Sequence, residues 1–168
     1  HRRLEAPAAA CREFTAFRGK ISREKHIAVQ SHLSENRKEI EFVKELCPWS
    51  DFYGNAYEKF GLFGGTGEKT VMAHCVWSDE REVELMKKNN VFIAHCPQSN
   101  ENICSGIAPV RKYLDKGMNI GLGSDIAGGY SLNMMRAVTD AVQVSKLRWT
   151  VNDSSLSPIT TIYGTFSI

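Results

Sequence analysis

Apolar positions along the chain alternate between two patterns: short, nearly continuous apolar runs, and longer stretches with helical spacing. His26 to Leu33 (HIAVQSHL) reads as a strand. Glu35 to Leu46 then places Ile40, Val43 and Leu46 on one face of a helix, with Ser34 as its N-cap and Pro48 as its stop. Trp49 to Gly67, rich in glycine and aromatic residues, reads as a long loop with one helical turn. Thr70 to Cys75 (TVMAHC) is the second strand. Asp79 to Lys88 follows as a helix with Asp79 and Glu82 at capping-box spacing. Val91 to Cys96 (VFIAHC) is the third strand, Ile107 to Lys116 a short helix ended by Gly117. Asn119 to Asp125 (NIGLGSD) is the fourth strand, and Leu132 to Leu147 a helix with Leu132, Met135, Val142 and Ser145 in register. Residues 1–20 and Thr150 to Ile168 carry no clean period and are expected to pack loosely.

Four strand–helix units in succession predict parallel α/β architecture. Unbroken apolar strands fit a parallel sheet covered on both faces. Two packings satisfy this: an open doubly wound sheet, or part of a (β/α)8 barrel, whose full form takes about 250 residues. The chain divides into residues 1–25, a central 26–149 holding the four units, and a tail of 150–168. No GxGxxG fingerprint follows the first strand, and the glycines of Gly61 to Gly67 lack the Lys-Ser or Lys-Thr of a phosphate loop.

Composition narrows the function classes. The 168 residues carry a formal charge of +2, with 42% hydrophobic and 24% charged residues. That balance argues against nucleic acid or an anionic membrane surface as partner. No apolar run approaches the roughly 20 residues of a membrane span. His1, Arg2 and Arg3 precede no apolar segment, so no secretory signal is read. The first residue is not Met, which suggests a fragment or a processed chain. The cysteines, Cys11, Cys47, Cys75, Cys96 and Cys104, are odd in number and form no CxxC pair. Cys75 and Cys96, each ending an apolar run directly after a His, are expected to be buried free thiols in a reducing compartment.

Candidate chemistry collects at the strand ends. His32 closes the first strand, with Glu35 three residues on; His74 closes the second, His95 the third and Asp125 the fourth. Taken singly, each has a plain structural explanation: a hydrogen-bonded histidine, a first-turn acid, a turn aspartate. Together they line the C-terminal rim where parallel α/β folds hold their active sites, and they have the composition of a metal site.

HLSEN (His32 to Asn36), MAHC (Met72 to Cys75), AHCPQSN (Ala94 to Asn100) and GLGSD (Gly121 to Asp125) in this order resemble the amidohydrolase superfamily. Within it, SHLSENRKEIEFVK (Ser31 to Lys44), the FYG and KFGLFG segments and DIAGGYS (Asp125 to Ser131) resemble the guanine deaminase branch, with its related chlorohydrolases. The resemblance spans roughly His26 to Trp149. It implies the last four strand–helix units of a TIM-type barrel and a zinc-dependent hydrolase that converts guanine to xanthine. His32 and Asp125 are then metal ligands. Glu35, His74 and Asp125 are the catalytic groups, and His32, Glu35, His74 and Asp125 surround the purine. His95 takes a structural role at the barrel mouth. The resemblance also implies an HxH pair that supplies two further zinc ligands, and no HxH occurs in this sequence. It implies a cytoplasmic protein whose partners are a small-molecule purine and either a second copy of itself or a missing N-terminal half. A deaminase or chlorohydrolase of another heterocycle, and a non-catalytic fragment or partner-dependent subunit, remain the alternatives.

Overall fold

The computed structural model describes residues 15–65, 67–151, 154–155 and 157–159. It opens with a helix, α1 (residues 15–25), followed by β1 (Val29–Leu33), α2 (Arg37–Leu46), α3 (Tyr53–Lys59) and β2 (Thr70–His74). Then come α4 (Glu80–Lys88), β3 (Phe92–His95), α5 (Pro97–Asn102), α6 (Val110–Asp115), β4 (Ile120–Leu122) and α7 (Met134–Val151).

The four strands form one parallel sheet in the order β1-β2-β3-β4. A doubly wound sheet reverses its strand order at a switch point, whereas a barrel adds each strand beside the last. The unreversed order therefore selects the barrel-type arrangement, represented here by four of its strands.

Helices cover one face of this sheet. Leu33, Met72, Ile93 and Ile120 point into a core completed by Val83 and Met86 of α4, Val110 and Tyr113 of α6, and Val142 of α7. The opposite face is less covered: His32 and Gln30 are exposed, and Phe92, Ala94 and Gly121 half-buried. Full burial of a side chain such as Met86 contributes roughly 2 kcal/mol, so α4 and the sheet hold each other in place.

Several elements differ from the sequence-based expectation. β1 begins at Val29 rather than His26, and β4 ends at Leu122 rather than Asp125. The cap of α2 is Asn36, whose side chain accepts from the Glu39 N–H; Ser34 instead takes a left-handed φ of 45° and turns its hydroxyl elsewhere. The Trp49 to Gly67 stretch holds the two-turn α3 rather than a single turn. α5 was not anticipated; it is short and polar, and starts with Pro97 at its first position, where a missing N–H costs nothing. The helix expected over Ile107 to Lys116 is confined to Val110–Asp115, and Gly117 follows it at φ 69° as expected.

α7 starts at Met134, leaving Leu132 outside it, and Leu132 and Met135 are exposed, while the helix packs through Ala137, Val138, Ala141, Val142 and Val144. A small-residue face permits the close approach that those larger residues would prevent. α7 also runs through Val151, past the boundary expected at 149/150, and α1 occupies residues expected to lack structure. Of the tail, Ile159 is buried and its N–H donates to Ser145 Oγ, so that point packs firmly. Residues 1–14 and 160–168 lie outside the described residues. Among the cysteines described, Cys75 and Cys96 are buried as expected, Cys47 is half-buried and Cys104 is exposed.

Candidate functional site

β1 and β2 end side by side. Leu33 pairs with His74, and beyond the strands the Cys75 N–H donates to the Leu33 carbonyl and the Trp77 N–H to that of Ser34, each at 2.9 Å. This keeps the two emerging turns together. Ser34, His74, Cys75 and Asp125 all have φ between 45° and 71°, in the left-handed region that residues with a Cβ seldom occupy. Left-handed backbone at consecutive strand ends redirects side chains that a continuing strand would send to alternate faces.

The structure brings His32, Glu35 and His74 together. One ligand atom from each lies within 4.8 Å of the others. The His32 and His74 rings meet edge to face, with centroids 5.2 Å apart. His74 Nδ1 lies 3.7 Å from Glu35 Oε1, and its Nε2 lies 3.9 Å from Asp125 Oδ2. All four predicted site residues therefore converge, with His74 in the middle. His74 is 1% exposed and Glu35 9%, while the Asp125 side chain is about one-third open and His32 is exposed. The cluster thus has a buried floor and an accessible lip.

Neighbouring groups fix the buried members. Asn100 Oδ1 lies 2.9 Å from His74 Nδ1, so Nδ1–H donates to it and Nε2 is the ring nitrogen that faces Asp125. Ser105 Oγ donates to Glu35 Oε1 at 3.1 Å. Glu39 Oε2 accepts from the Glu35 N–H, and its Oε1 from the Tyr53 hydroxyl. Gly128 lies against the aspartate: a Cβ there would overlap Ser99 Oγ and reach Asp125 Oδ2. The Gly129 N–H donates to the Asp125 carbonyl at 2.6 Å, closing the turn. Asn100 and Ser105 are the site neighbours that residue-type reasoning passed over. For Asn100 the local signal is the AHCPQSN motif that it ends, with Pro97 starting its short helix; Ser105 has none.

His95 is not one of the clustered ligands. It is 1% exposed, and neither ring nitrogen has a partner among the described residues. Burial, reinforced by His74, pushes its pKa down to about 4, so it stays neutral. Cys96 also stays protonated, its thiol pushed up to about 12 by burial and by the charge of Asp125. The open imidazole of His32, the buried imidazole of His74 and the Glu35 carboxylate, with the Asp125 carboxylate beside His74, are donors suited to a borderline divalent cation such as zinc, iron or manganese. The donor set therefore fits a divalent metal.

The amidohydrolase family model matches residues 6–165. A guanine deaminase of Dictyostelium discoideum is 40% identical over 142 residues, covering 84% of this chain and 31% of that protein. The Homo sapiens guanine deaminase is 40% identical over 141 residues, covering 83% of this chain and 30% of that protein. Among solved structures, the guanine deaminase of C. acetobutylicum with bound guanine in the active site superposes with a TM-score of 0.85. The two are 46% identical, over 90% of this chain and 36% of that one. The chain spans about a third of the length of these relatives.

Proposed function

The chain belongs to the amidohydrolase family, and from that premise we propose that it carries part of the active site of a zinc-dependent aminohydrolase that converts guanine and water to xanthine and ammonia. The observation behind this reading is the convergence of His32, Glu35, His74 and Asp125 at the C-terminal ends of parallel strands. The substrate is assigned from the guanine deaminases that the chain resembles at about 40% identity.

The reaction replaces the bond between a ring carbon and its exocyclic amino group by C–O. Water adds to the amino-bearing carbon, the ring loses aromaticity, and ammonia leaves. His32 and Asp125 would hold the zinc ion, which when bound supplies the Lewis acidity that makes water nucleophilic near neutral pH. Glu35 gives a proton to the ring nitrogen as the tetrahedral centre forms and takes one back from the new C–OH group as the carbonyl forms and ammonia leaves. Its Ser105 hydrogen bond and near-complete burial hold that carboxyl at one place on the site floor. Asp125 accepts the proton of the attacking water and passes it to the departing amine. His74, held by Asn100, stabilises charge developing on the attacking oxygen. Free thiols at Cys75, Cys96 and Cys104 suit a reducing compartment such as the cytoplasm.

The test is conversion of guanine to xanthine with added zinc, run with and without a separately supplied N-terminal half carrying an HxH pair. Adenine, cytosine and triazines serve as competing substrates. Guanine should be preferred, and Glu35→Gln should lower turnover on the order of 10²- to 10⁴-fold. Preference for another heterocycle would reassign the substrate. An active Glu35→Gln variant would remove the proposed proton route.

A further inference from the structure

Between His32 and Glu35 lies Ser34, and its surroundings hold a buried acid that the proposed chemistry does not use. Glu82 of α4 is 1% exposed. The sequence places it three residues after Asp79, the spacing of a capping box. Asp79 does cap α4 by accepting from the Glu82 N–H. The Glu82 carboxylate turns inward instead: Oε2 accepts from Ser34 Oγ and Oε1 from the Gly54 N–H, both at 2.7 Å. Burial raises its pKa despite these donors. A surface cap would avoid that desolvation cost.

The two donors explain where the carboxylate sits. Ser34 has φ 45° and is 2% exposed, so its hydroxyl has one buried direction available. Gly54 must lack a side chain, because a Cβ there would press into the Phe63 ring. Glu82 therefore ties α4 and the start of α3 to Ser34, the second of the two residues between His32 and Glu35. The Ser34 carbonyl, taken by the Trp77 N–H, fixes the other side of that residue, and Trp77 Nε1 in turn donates to Ser105, whose hydroxyl holds Glu35.

Resting on the metal-site reading above, we propose that Glu82 is a positioning residue: through Ser34 it sets the separation between the His32 imidazole and the Glu35 carboxylate. A purely structural acid would stabilise the fold and leave that separation to the strand.

The test compares the parent chain with Ser34→Ala, Glu82→Gln and the surface variant Glu80→Gln. Zinc affinity is measured by competition with a chromophoric chelator, and hydrogen exchange of the 33–36 amides is followed without metal. Ser34→Ala should bind zinc about 10-fold more weakly and lose protection at 33–36. Glu82→Gln can still accept from Gly54 and donate to the serine oxygen, so it should stay near the parent, as should Glu80→Gln. Parent-like zinc affinity and parent-like protection in Ser34→Ala would overturn the proposal. A parent chain that takes up no zinc would count against the metal reading alone, and the exchange data would still decide the role of Glu82.

Discussion

At the scale of single residues, burial without partners has a measurable consequence at His95. Its pKa of about 4 lies below the ordinary 6.5 because the charged ring would lose its hydration. The unfolded chain therefore takes up the proton first as pH falls. The stability that the neutral ring contributes is complete above pH 6.5 and declines as pH drops toward 4. The full span is on the order of 3 kcal/mol, with about 2 kcal/mol gone by pH 5. Urea unfolding at pH 7 and pH 5 should show that loss, and His95→Leu should flatten it; equal slopes in both proteins would exclude His95 as the source. Residue type and strand position were enough to nominate His32, Glu35, His74 and Asp125. They could not nominate what holds them. Asn100 is 26 positions from His74 and Ser105 is 70 from Glu35, and no local pattern encodes a contact across such separations. The left-handed φ at Ser34 and His74 was equally hidden, because those residues usually avoid it and only the packed fold imposes it.

At the scale of elements, α4 shows which parts of a helix a sequence reveals. Val83 and Met86 stand three positions apart, on one face of the helix, and both are fully buried. The same spacing suggested that Glu82 would close a capping box, which the pull of Ser34 and Gly54 overrides. Strand existence was legible from apolar runs, but strand ends were not, because the runs continue into turns that keep one or two backbone pairings. α5 escaped notice because its six residues, PQSNEN, have no apolar face. The outer side of α4 carries a further prediction. Glu80 bridges Lys112 of α6 and Lys116 just beyond its end, and these partners pull its pKa from 4.5 to about 2. A depressed carboxylate stabilises the fold above its ordinary pKa and loses that contribution as pH falls toward 2. All three side chains lie near water, so screening limits the gain to about 1 kcal/mol or less. Glu80→Gln should shift the urea midpoint at pH 7 by no more than that, and the shift should shrink in molar salt. A salt-independent loss of several kcal/mol would mean that α4 and α6 depend on the bridge for docking.

At the scale of the whole molecule, the sheet has two edges and one well-covered face. β1 and β4 each pair on one side only among the described residues. In a parallel strand the N–H and C=O of one residue point the same way, so alternate residues serve opposite neighbours. The Val29 N–H donates to Lys69 and the Leu33 carbonyl accepts from Cys75, so Val29, Ser31 and Leu33 face β2. Gln30 and His32 therefore turn their backbone groups outward, and the residues themselves are exposed. An unpaired edge of this kind is a template for another chain. The chain on its own should accordingly self-associate at tens of micromolar, with light scattering giving a mass of at least twice 18.8 kDa. Gln30→Pro removes an outward N–H without touching a β1–β2 hydrogen bond, and proline is tolerated at such edge positions. It should return the protein to monomer while leaving its circular dichroism unchanged. Adding a separate N-terminal half should compete for the same edge and suppress association of the parent. Self-association that survives Gln30→Pro would place the contact elsewhere, with the exposed Leu132 and Met135 before and on α7 the next surface to substitute.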